Sequence, residues 1–240
     1  SLNSKRQFFE IGDVMAALKG VQRGHLSLSV ATTANSFATA LLAAFTQQYP
    51  EVTFSLDITN RKSLLDQLAH NETDLVIMGQ PPAEMALVSK AFMENPLVII
   101  ASPEHPLAKS QSTIPWSRLQ DESFVVREQV SGTRIAMERY FKAKDIRLKI
   151  AMETTSNSAI KTAVAANLGL GLVSFHTLEL ELALNRVRIL DVEDFPIMRH
   201  WHVVHTPSKR LSPVAKAFLK FLASDEAAPM LSFKIPEFSV

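Results

Sequence analysis

No cysteine occurs in the 240 residues, which removes disulfides, thiolate nucleophiles and thiolate metal sites and allows a reducing compartment. No glycine-rich phosphate loop of the GxGxxG or GxxxxGK(S/T) type is present, so nucleotide binding has no motif behind it. No serine sits in a GxSxG elbow. Charge of either sign is not in excess. With 25 Lys and Arg against 24 Asp and Glu, the net charge of +1 lacks the basic surplus of a self-sufficient nucleic-acid binder, so DNA would be reached through another segment. No uninterrupted apolar run approaches the roughly 20 residues that span a bilayer, and residues 1–24 show no basic start followed by an apolar core. A cytoplasmic location without membrane attachment is expected.

What is present is an ordinary globular composition, 47% hydrophobic and 20% charged, enough for one large or two small domains. Asn3 or Ser4 caps an expected helix carrying Phe8, Ile11, Val14, Met15 and Leu18, whose apolar stripe needs cover from the local core or from a second subunit. Leu26, Leu28 and Val30 then alternate as a strand, and Phe37, Leu41, Leu42 and Phe45 recur at helical spacing. Residues 52–58 alternate again, Leu64, Leu65 and Leu68 mark a second helix, and residues 75–78 form an apolar strand that stops at Gly79, Gln80, Pro81 and Pro82. Strands at 87–93 and 97–101 follow. This run predicts right-handed crossovers in a mostly parallel sheet covered on both faces.

Residues 102–112, rich in Pro, Ser and charge, read as an exposed connection, after which the alternation restarts. Strands are expected at 124–127, 148–153, 169–174 and 187–190, with helices around 136–143, 159–166 and 177–184. Residues 201–204 return to the first lobe, which a helix at 214–222, capped by Ser212 and opened by Pro213, completes. Two α/β lobes joined by two crossing segments, near 101–103 and 205–207, would leave a ligand cleft between them.

Three strand-to-helix turns carry the chemistry. Residues 32–36 (TTANS), residues 131–134 (SGTR) and residues 154–158 (TTSNS) each offer hydroxyls or amides at the carboxyl end of a strand, where helix N–H groups favour anions. In the second, Gly132 allows close backbone approach, Ser131 and Thr133 supply hydroxyls, and Arg134 matches a carboxylate or phosphate. Capping alone is the competing explanation of each turn. Together they favour a small polar or anionic ligand bridging Thr32 and Thr33 to Ser131, Thr133 and Arg134.

The stretches GHLSLSVATTANSF, DLVIMGQPP, SGTR, TTSNSAIKTAVAANLGLGLVS and RLSPVAKAFLKFL, in this order, resemble the effector-binding region of LysR-type transcriptional regulators over nearly the whole chain from Gly24. DLVIMGQPP, FHTLELEL and MRHWHVVH most resemble the regulators of Calvin-cycle, RuBisCO-operon genes. The resemblance implies an α/β fold of two Rossmann-like lobes joined by two crossover segments, like periplasmic binding proteins, preceded by the remnant of a dimerising linker helix. Residues 1–23 would be that remnant, 24–101 with 207–240 lobe I, and 102–206 lobe II, with the winged helix-turn-helix domain absent. The implied effector contacts are Thr32, Thr33, Asn60 and Gln80, then Glu128, Ser131, Gly132, Thr133, Arg134, Ser156 and Asn157. Sugar phosphates, phosphoenolpyruvate, phosphoglycolate or NADPH are the implied effectors, with an aromatic carboxylate as the alternative; Glu128 beside Arg134 would partly neutralise the site. Implied partners are a second and further copies of the chain as dimer or tetramer, promoter DNA through the missing domain, and RNA polymerase.

Other constellations carry less. His200 and His202 share a strand face, with His205 nearby, but no acidic or cysteine ligand completes a zinc set, so neither a metal nor any cofactor is expected. Asp191, Glu193 and Asp194 read as a charged loop, and His176 near Ser174 lacks an acid partner for nucleophilic catalysis. A ligand-sensing regulatory module is therefore favoured over a free-standing solute-binding protein and over an enzyme.

Overall fold

A computed structural model describes residues 23–237. The expected linker helix, with Phe8, Ile11, Met15 and Leu18, lies outside the described residues. The chain divides into two compact units, the first formed by residues 23–59, 63–92 and 202–232 and the second by 60–62, 93–201 and 233–237.

In the first unit, β1 (Arg23–Ala31) pairs in parallel with β2 (Glu51–Thr59) on one side and β3 (Leu75–Met78) on the other. Helix α1 (Asn35–Gln48) links β1 to β2, and α2 (Arg61–Ala69) links β2 to β3. The period-2 pattern of β1 sends Leu26, Leu28 and Val30 into the core. There Phe45 of α1 meets Phe218 and Phe221 at 5.4 and 5.5 Å between ring centroids. Those two rings belong to α6 (Pro213–Leu222), whose Ser212 cap accepts the Ala215 N–H as its sequence promised. Leu64 and Leu68 of α2 pack with Val76, Met78 and Val204 in a separate cluster.

The second unit repeats the plan. β5 (Ser123–Arg127) lies in parallel between β6 (Lys149–Thr154) and β7 (Leu170–Ser174), with α3 (Gly132–Ala143) and α4 (Asn157–Ala165) as the crossovers. Phe124, Val126, Leu170 and Leu172 join Leu97, Ile99, Met137 and Phe141 in one core. Val125, Val173, Val98 and Ile100 join Ile160 and Val164 in another. Alternation along each strand thus feeds a core on either face, as expected of a sheet sandwiched by helices.

Four expectations change. The two strands read at 87–93 and 97–101 are one 14-residue strand, β4 (Val88–Ala101), which runs through Pro96 because proline fits an extended backbone and forfeits only one N–H. Its last half pairs antiparallel with β7 and with the short β8 (Arg188–Ile189), and β9 (Ile197–His205) pairs antiparallel with β3, so the strand pairing is mixed rather than mostly parallel. The helix expected at 177–184 is only the five-residue α5 (Glu179–Ala183), preceded by a 3-10 turn at Phe175–Thr177. The chain changes unit inside β4 and inside β9, earlier than the loops near 101–103 and 205–207.

Candidate functional site

The turn after β5 is built from its own polar groups. Ser131 adopts an extended N-cap conformation and its Oγ accepts the Arg134 N–H at 3.5 Å. Glu128 carries the strand ladder one residue onward by donating its N–H to the Thr154 carbonyl. The turn after β6 matches it: Ser156 caps α4 by accepting the Ala159 N–H at 3.1 Å, and its own N–H donates to Thr154 Oγ1. Both turns thus present helix N-termini, with Asn157 in the first turn of α4 and Gly132 opening α3. No heavy atom lies within 4 Å of where a Gly132 side chain would begin.

Arg134 is placed otherwise than its sequence suggested. Its guanidinium is buried and turned into the protein, donating from Nε to Glu138 at 2.8 Å and from Nη1 to Glu153 at 2.8 Å and the Arg127 carbonyl at 2.7 Å. It fastens the β5 turn to β6. Glu128 does not face Arg134 either, for Arg127 grips it through Nε and Nη2, both at 2.9 Å. Burial opposes ionisation of Glu128, yet the Arg127 hydrogen bond, a backbone hydrogen bond and the Arg127 charge together hold its carboxyl below the usual value.

In the first unit the expected side-chain caps at residues 32–36 do not form. Residues 32–34 wind as a 3-10 turn before α1, which puts Ala31 and Ala34 at the two cap positions. Thr32 instead donates through Oγ1 to the Thr59 carbonyl at 3.4 Å, tying the turn after β1 to the turn after β2. Thr33 is half-buried, and Asn60 and Gln80 are exposed. A cavity of about 240 Å³ in this unit opens elsewhere, beside α2, among Ser29, Ser55, Asp57, Gln67 and Thr73.

Sequence reading missed two groups. Arg61, Arg139 and Arg199 lie within electrostatic reach of one another: burial lowers the guanidinium pKa of Arg61 and of Arg199, the charges of Arg199 and Arg139 lower that of Arg61 further, and Arg139 does the same to Arg199. Such crowded cations suit an anion. The second group is polar and buried. Ser174 Oγ and Asn95 Oδ1 have no hydrogen-bond partner among the described residues, while the Trp201 indole N–H donates to His176 Nε2 at 2.9 Å. Burial pushes His176 down to about 3, so its ring is neutral. His202 meets Ser89 at 2.9 Å and His205 meets the Thr206 carbonyl at 2.9 Å, each engaged separately.

Residues 19–227 match the model of the LysR substrate binding domain. The chain belongs to this family. It is 48% identical over 218 residues to a RuBisCO operon transcriptional regulator of Allochromatium vinosum, covering 91% of this chain and 72% of that one. It is 42% identical over 219 residues to the HTH-type transcriptional activator CmpR of Synechocystis, with the same coverage. Among solved structures, the CcmR regulatory domain of Synechocystis PCC6803 in complex with 2-PG superposes with a TM-score of 0.80 at 40% identity, over 87% of this chain and 98% of that one. The LysR domain described here is thus the effector-binding part of a transcriptional regulator, with the two-lobe α/β fold of periplasmic binding proteins. No helix among its described residues is long and apolar enough to cross a membrane.

Proposed function

We propose that this domain senses a small phosphorylated metabolite, 2-phosphoglycolate being the first candidate, and so controls transcription of carbon-fixation genes. The convergence of Arg61, Arg139 and Arg199 carries the reading on this chain, because three guanidiniums that repel one another gain most from a multiply charged anion. The 2-PG held by the CcmR regulatory domain supports the same ligand class. Thr32, Thr33, Asn60, Gln80, Glu128, Ser131, Gly132, Thr133, Ser156 and Asn157 are the proposed effector contacts. Arg134 acts by holding its turn in place. Effector binding favours one arrangement of the regulator over another, and this differential affinity is what reaches promoter DNA through a separate DNA-binding domain, in a dimer or tetramer that also meets RNA polymerase.

Calorimetric titration tests the ligand class. We expect 2-phosphoglycolate, phosphoenolpyruvate, ribulose bisphosphate or NADPH to bind selectively, and Arg199→Gln to weaken the bound anion by roughly 1.5–3 kcal/mol, the range for charge-assisted hydrogen bonds. Binding of an aromatic carboxylate alone would replace the proposal.

A further inference from the structure

On the α3 face of the second unit's sheet, apolar rows run along neighbouring strands and each ends in a polar residue at the same edge. Along β4 the row is Ala101, Ile99, Leu97 and then Asn95; along β7 it is Leu170, Leu172 and then Ser174. The register sets Leu97 opposite Ser174, so Asn95, two residues back along β4, is the diagonal neighbour of Ser174 on the same face, roughly 7–8 Å away between Cα atoms. Beside β7, the β5 row of Phe124 and Val126 continues to Glu128 one residue past the strand.

Ser174 is 1% exposed and Asn95 7%, and their Oγ and Oδ1 atoms lack partners among the described residues. Ser174 also occupies the N-cap position of a 3-10 turn without using its hydroxyl to cap it. A serine in that place ordinarily accepts a turn N–H. Two buried polar groups left open at the carboxyl edge of a sheet, where ligands of open α/β folds bind, are groups kept for something that arrives.

We propose that Asn95 and Ser174 form a subsite that reads a hydroxyl group of the effector. One ligand oxygen between them donates its proton to Asn95 Oδ1 and accepts the Ser174 hydroxyl, so that both open groups are met at once. A carboxylate or phosphate oxygen, which only accepts, would leave Asn95 Oδ1 unmet. The surroundings agree. His176 beside Ser174 offers no positive charge, and the neighbouring row ends in the Glu128 carboxylate, so the Asn95–Ser174 corner of this edge suits a neutral donor. The subsite rests on the effector reading above and, because 2-phosphoglycolate carries no hydroxyl, moves the first place within that reading from 2-phosphoglycolate to a hydroxylated phosphometabolite.

The test compares 3-phosphoglycerate with 3-phosphooxypropanoate, which differ by the hydroxyl alone, alongside 2-phosphoglycolate, on the unaltered domain and on Ser174→Ala and Asn95→Leu. Each substitution extends an apolar row, so the ligand-free unfolding midpoint is expected to stay or rise. The unaltered domain should prefer the hydroxylated compound by about tenfold or more, and both variants should lose that preference while binding the deoxy compound as before. Equal affinity for the matched pair, binding of 2-phosphoglycolate alone, or a lowered midpoint in the variants overturns the subsite and leaves the phosphorylated-effector reading intact. Failure of all three compounds to bind, and of phosphoenolpyruvate, ribulose bisphosphate and NADPH run beside them, removes that reading and the subsite with it.

Discussion

At the scale of single residues, burial decides which charged groups can act on a ligand. Arg134 has the side chain that best suits a phosphate, but Glu138, Glu153 and the Arg127 carbonyl already take its donors. Arg134→Lys keeps the charge and cannot reach three acceptors with one ammonium. We expect it to lower stability by about 1–3 kcal/mol, the cost of an unmet buried group, with both glutamates half-exposed and contributing little by charge alone. Denaturant unfolding checks this, and a variant as stable as the parent would return Arg134 to the ligand. His176 makes the opposite case. Its folded pKa of about 3 lies below the ordinary 6.5, so above that value the ring is neutral folded or unfolded and costs nothing. Below it the unfolded chain takes up a proton that the folded ring refuses, and stability falls as pH drops from about 6.5 towards 3. Thermal melts over this window should show a flatter acid limb for His176→Gln, which also keeps an acceptor for Trp201.

At the scale of elements, the two second-unit glycines that the structure distinguishes separate fold from site. A Cβ on Gly169 would sit 2.7 Å from the Ser123 carbonyl oxygen, a backbone atom of neighbouring β5 that cannot swing away. Gly169→Ala should therefore cost about 1–3 kcal/mol as the strands shift apart. At Gly132 the same methyl meets open space, so Gly132→Ala should unfold at the parent's temperature while hindering approach to the α3 N-terminus. Equal destabilisation by the two would mean that Gly132 serves the fold. Much of this level was legible beforehand. Leu26, Leu28 and Val30 announce β1 because each strand of a two-layered core must alternate, and Ser212–Pro213 announces α6 because both residues suit a first turn. What escaped depends on register or on convergence from afar. Nothing local in residues 93–101 tells that Asn95 shares a face with Ser174, and Arg61, Arg139 and Arg199 meet only once three separate elements have packed. The capping serines 131 and 156 were legible for the same local reason that Thr32 and Thr33 misled: hydroxyls before a helix suggest a cap, and only the backbone reveals that an alanine takes the position.

For the whole molecule, charge separates the ligand from the nucleic acid. The total of +1 gives DNA no field to follow, so the chain alone should leave promoter DNA unretarded at 0.1 M salt, with or without effector. Positive charge is concentrated locally instead, where burial and then the charges of Arg199 and Arg139 lower the guanidinium pKa of Arg61, and burial and then the charge of Arg139 lower that of Arg199. An anion that neutralises them binds the folded state only, adding about 2.7 kcal/mol at 100 times its dissociation constant. For a chain of this length that raises the unfolding midpoint by roughly 5–10 °C. Arg199→Gln should raise the midpoint of the empty domain, by relieving repulsion, and shrink the rise caused by 2-phosphoglycolate. Added salt should act in the same sense, since the Debye length falls from about 30 Å at 0.01 M to about 10 Å at 0.1 M and screens partner and rival charges alike. A midpoint that falls in Arg199→Gln, with the ligand-induced rise unchanged, would make the three arginines part of the scaffold and leave the anion to the helix N-termini of α3 and α4.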